Sequence, residues 1–164
     1  MAELTTLESK IGEVIGLAMA AKDATQKVER LLEEDDDGLK TVLRRMRQEA
    51  VETAERTTEV ASGLDGKKTA ILEKAREVKG EATEMMSTYL GDDADGLDGF
   101  EFLTMAEAGE VGHWSIVGKL NERAGNEELQ RVVEWVTPIQ ERHLRDALQG
   151  SLRLAAEEDP QAPA

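Results

Sequence analysis

Both histidines of the chain stand three residues after a side chain able to share a proton or a metal ion with them: Glu110 precedes His113, and Gln140 precedes His143. Residues at i and i+3 project from one side of a helix, so each pair can reach a single point. Glu107 extends the first pair by one turn. These residues interrupt apolar rows. Phe100, Leu103, Trp114 and Val117 form one stripe with Glu107 and Glu110 at its middle. Val132, Val136, Ala147 and Leu154 form another, centred on Gln140 and His143. A carboxylate on a core-facing row is costly unless it is paired, hydrogen-bonded or metal-bound. Carboxylates with imidazole and no thiolate suit iron, manganese or zinc. A hydrogen-bonded Glu–His pair at a helix interface, or a row turned towards solvent, is the plainer reading of the same spacing.

Five helical segments must position these groups. Leu4, Leu7, Ile11, Val14, Ala18, Ala21, Val28 and Leu32 make an amphipathic stripe over residues 3–34. Acidic residues 35–37 and Gly38 end it, with Asp37 placed to cap a second helix over 38–63. A turn at 63–66 leads to a third helix over 67–90, and the Gly/Asp-rich loop 91–99 to a fourth over 98–123. That loop lacks the register of a calcium loop and reads as a solvated connector with helix caps. The fifth helix covers 127–156 and should kink at Pro138. With a turn at 125–126, positions summing to about 251 lie level, because both helices rise about 1.5 Å per residue. Glu110 then lies across from Gln140 and Glu141, and Glu107 from His143 and Leu144. Gly12, Gly16, Ala20 and Ala24 form a small-residue row that suits close helix packing or a dimer face. No strand pattern is present, so the expected class is all-α: one domain over 1–156 with a flexible tail over 157–164.

Composition narrows the partners. The 164 residues include no Cys and carry 35 acidic against 20 basic side chains, a net charge of −15. Such a chain is unsuited to phosphate backbones and has no disulfide framework. It has no apolar run of membrane length and no signal-peptide pattern near its start, so a cytoplasmic protein is expected. There is no Gly-rich phosphate loop and no nucleophile–base arrangement. All five aromatic residues lie between Tyr89 and Trp135.

The segment Glu107-Ala108-Gly109-Glu110-Val111-Gly112-His113-Trp114, followed by Leu120, Ala124, Gly125, Gln140 and His143, resembles the ferritin-like superfamily. Its small-bundle members, the YciF-type stress proteins and rubrerythrin-like domains, are the nearest in pattern. The resemblance covers residues 98–156 and extends to 1–90 only in helix length and order. It implies an antiparallel four-helix bundle with an additional helix, an iron site between the helices, and ferroxidase or peroxide-handling activity. Manganese or zinc are further metals for such a site. Glu107, Glu110, His113, Gln140 and His143 would be ligands, with Glu49 and Glu52 as weaker candidates beside Glu55 and Asp23. A homo-oligomer, with a dimer favoured, is the expected assembly. Two departures stand out: Gln140 occupies a position where a carboxylate is usual, and no His precedes residue 113. They leave an alternative, a non-catalytic stress-response or scaffold bundle that kept the fold and lost the site.

Overall fold

The computed structural model describes residues 2–163, and among these it is all-helical. Helix α1 spans Thr6–Leu31, α2 Asp37–Ser62, α3 Lys68–Tyr89, α4 Gly96–Ala124 and α5 Glu127–Glu157. Thr5 and Glu8 close a capping box on α1, and Asp95 and Asp98 do the same on α4. Asp36, rather than Asp37, is the N-cap of α2. Its carboxylate caps no helical N–H and instead accepts from Arg153 on α5 at 3.2 Å. Helix α5 runs through Pro138, which is exposed.

Gly125 at φ 68° and Asn126 make the two-residue turn from α4 to α5. The left-handed φ suits a residue without Cβ. Asn121 ties the turn, donating to the Asn126 carbonyl at 3.0 Å and accepting from the Asn126 N–H at 3.2 Å. A turn so short leaves no slack in the level at which the two helices meet.

Helix α1 packs against α2, α3 and α4, while α5 packs against α4 and α2. The interior separates into two apolar clusters. Ile11, Val14, Ile15, Val60, Trp114, Val117, Leu129 and Val136 belong to the first. Val28, Leu43, Met46, Phe100, Leu103 and Ala147 belong to the second. Along each of α1, α2, α4 and α5 the two sets of core residues lie on opposite sides of a middle stretch. That middle level holds the buried Thr53, Glu107, Glu110, Gln140 and His143.

The small-residue row on α1 is used for close packing against α3. A Cβ on Gly16 would stand 2.4 Å from the Ala75 carbonyl oxygen, and one on Gly12 would stand 2.8 Å from that of Ile71. Only glycine allows α3 this close. Ala70, Ile71 and Ala75 are the buried residues of α3, all in its first half. No helix among the described residues is long and apolar enough to cross a membrane.

A buried polar layer and an acid-floored groove

Glu107 and Glu110 are 1% and 4% exposed, and Gln140 and His143 are each 2% exposed. Gln140 Nε2 donates to Glu107 Oε2 at 3.1 Å and to Glu110 Oε2 at 3.2 Å. One amide thus bridges both carboxyls of α4. His143 Nε2 lies 2.5 Å from Glu49 Oε2 on α2, and Nδ1 lies 3.5 Å from Glu107 Oε2 on α4. The imidazole is therefore a bridge between carboxylates on two different helices. Arg142, the residue before it, adds a second cation to Glu49.

Electrostatics follows from these contacts. Burial pulls the His143 pKa down, but the adjoining carboxylates of Glu107 and Glu49 outweigh it and hold the pKa above the usual value. When protonated, the ring presents an N–H to each carboxylate. Burial pushes Glu49 up, yet His143 and Arg142 draw its carboxyl below the ordinary range. Glu110 is pushed well up, first by burial and then by the adjoining Glu107. Burial and Glu107 thus favour the neutral form of Glu110, while His143 and Arg142 place cationic partners beside Glu49.

The remaining sequence candidates lie elsewhere. His113 is only partly buried and faces α1, its Nδ1 3.3 Å from Glu13 Oε2 without a hydrogen-bonding angle. It projects away from α5 because positions 107 and 110 already occupy the α5-facing side. Glu52 pairs with Arg56 one turn along α2 at 2.7 Å and is substantially exposed. Glu55 is exposed, and Asp23 pairs with Lys79 on α3 at 3.2 Å. The i, i+3 spacing carries no signal for Arg142, because its partner Glu49 lies on another helix.

A metal centre bridged by carboxylates does not fit this arrangement. Glu49 and Glu107 approach opposite nitrogens of one imidazole, so they cannot share an ion bound to either nitrogen. Arg142 is a fixed cation against Glu49. Helix α1 brings no carboxylate to the layer, since buried Ala18 faces the core and Asp23 is engaged by α3. No group of three or more His, Asp or Glu among the described residues is arranged to hold a metal ion.

Glu107 and Glu110 also line a groove of about 350 Å³ between α1, α3 and α4. Leu17, Ala21, Ala24, Val78, Ala82 and Met86 are among its apolar walls, and Glu13, Glu81 and His113 add polar groups. Gly109 opens the α4 side, where an added Cβ would meet nothing within 4 Å. Spacing alone does not mark α3 as a wall, because only the fold brings its second half over α4.

Comparison of the chain with family models, curated proteins and solved structures finds no match.

Proposed function

We propose that the chain is a ferritin-like helical bundle acting as a non-catalytic binding or scaffold protein, with its middle layer closed by protons and ion pairs instead of a metal. Helices α1, α2, α4 and α5 are the four bundle helices in this reading, and α3 is the long crossover that returns the chain between two antiparallel hairpins. One observation carries the loss of the metal role: each nitrogen of His143 is faced by a carboxylate from a different helix. Arg142 beside Glu49 supports it, because a fixed cation already occupies the carboxylate that an ion would need. Buried charges tolerate such a site when paired and hydrogen-bonded.

A second reading, an iron-binding bundle with oxidase or peroxide-handling activity, is favoured by the donor chemistry alone. Glu49, Glu107, Glu110 and His143 are groups that iron accepts, and they lie at one level. One experiment separates the two readings. Purified protein is incubated anaerobically with Fe(II), and separately with Mn(II) and Zn(II), then freed of excess ion and analysed for metal. The scaffold reading expects less than about one ion per ten chains and no rise in Tm, since an ion bound only to the native state raises stability. Uptake near one ion per chain that is lost in both Glu107→Gln and His143→Gln would replace it with the iron reading.

A further inference from the structure

The middle layer accounts for one side of Glu107 and Glu110, and the groove lies on their other side. Both carboxyls bond Gln140 through Oε2, which leaves Oε1 of each for an incoming donor. Two adjacent carboxyls at 1% and 4% exposure form the floor of a groove whose walls are mostly alanine, methionine, leucine and valine. Its volume of about 350 Å³ falls within the range of small-molecule sites, which combine apolar walls with a few convergent polar groups.

We propose that this groove binds a small lipophilic amine, with the ammonium group on Glu107 and Glu110 and the hydrocarbon part along the walls of α1 and α3. Charge decides the class of ligand. An anion is repelled by the floor and by Glu13 and Glu81, which also line the groove. A neutral hydrocarbon fills the walls but offers no donor to the free oxygens of the two desolvated carboxyls. A bare metal ion uses none of the apolar wall. Lys74, the basic residue of the lining, is held by Glu77 at 3.1 Å, so it does not serve the floor as a counter-ion. Met85, Met86 and Met105 supply unbranched side chains that adapt to irregular hydrocarbon shapes.

The inference rests on the middle layer holding no metal, so it is tested on the full chain after EDTA treatment, with metal content scored separately. Isothermal titration with octylamine, octanol and octanoate, each below its aggregation limit and at physiological salt, reads the chemistry directly. Octylamine binds at one site per chain, octanol binds at least about tenfold weaker, and octanoate gives no heat of binding. Gly109→Leu fills the α4 side of the groove at a position with open space and favours the helix, so it abolishes octylamine binding in a folded protein. Glu110→Gln keeps the shape and weakens octylamine by at least about tenfold while sparing octanol. Octylamine binding that survives Gly109→Leu, octanol equal to octylamine, or no octylamine binding up to millimolar concentration overturns the proposal. If EDTA-treated protein binds octylamine but untreated protein carries about one ion per chain, the metal-free reading fails and the groove stands.

Discussion

The two helical hairpins meet the same middle level with opposite chemistry. The α4/α5 hairpin brings Glu107, Glu110, Gln140 and His143 to it, all nearly inaccessible. The α1/α2 hairpin brings Ala18, Ala50 and Thr53, and a single charged group, Glu49. The connections differ in the same sense. Gly125 and Asn126 join α4 to α5, whereas residues 32–36 join α1 to α2. Four polar side chains can be buried against one another only where their levels are fixed, because an unmatched partner costs far more than a mispacked methyl group. The tight turn fixes those levels, and the looser hairpin contributes mainly small apolar surface.

The largest break in this comparison comes from removing the bridge. His143→Ala leaves Glu49 and Glu107 without their shared partner and should destabilise the protein by about 3–5 kcal/mol in urea unfolding. Replacing Glu107, Glu110, Gln140 and His143 together by leucine should instead leave stability unchanged or raised by about 1–4 kcal/mol. If the fourfold variant loses as much as His143→Ala, the layer contributes more to stability than an apolar core would.

A pH series comes next in size. His143 has a raised pKa, so its contribution is complete below pH 6.5 and is lost as pH rises through the folded value. Glu110 is also raised, so folding favours its neutral form, and stability is lost as pH climbs from 4.5 through the folded value. Glu49 is lowered, so its contribution is present above pH 4.5 and is lost on acidification through its folded value. Above pH 4.5 the unfolding free energy should therefore decline as pH rises, and less steeply in Glu110→Gln. Parallel declines in the two proteins would remove Glu110 from the explanation.

The smallest effect sharpens the contrast within α2. Glu52, three residues from Glu49, makes an exposed pair with Arg56. Glu52→Ala should change stability by less than about 0.5 kcal/mol, as exposed pairs do. A larger loss in the same unfolding assay would mean that the polar layer extends beyond Glu49.

Periodicity made most of the helices and the polar layer legible. The apolar stripes place the five helices to within a few residues, because each must bury one face. The level argument from the turn at 125–126 puts Glu110 across from Gln140 and Glu141 and Glu107 across from His143 and Leu144, and the structure selects Gln140 and His143. Spacing could not tell which side of α4 faces α5, since positions 107, 110 and 113 drift round the helix. That is why His113 falls against Glu13 instead. Nor could it reveal Arg142 as the partner of Glu49, a contact spanning two helices far apart in sequence. The groove depends on where α3 crosses, and α3 carries the shortest buried run of the five.

Helix α3 is built like a bridge on two abutments. One end rests on α1 where Gly12 and Gly16 allow it to sit closely. The other is held by the buried Leu90 and by Tyr89, whose ring lies 6.0 Å from that of Phe102. Between Ala75 and Leu90 the span is about 22 Å at the rise of an α-helix. Gly80 lies about a third of the way along this span, with nothing within 4 Å of where a Cβ would be. A glycine there costs about 1 kcal/mol of helix stability relative to alanine. The weakest helix former of α3 thus stands over the groove, between Val78 and Glu81 of its lining and away from both footings.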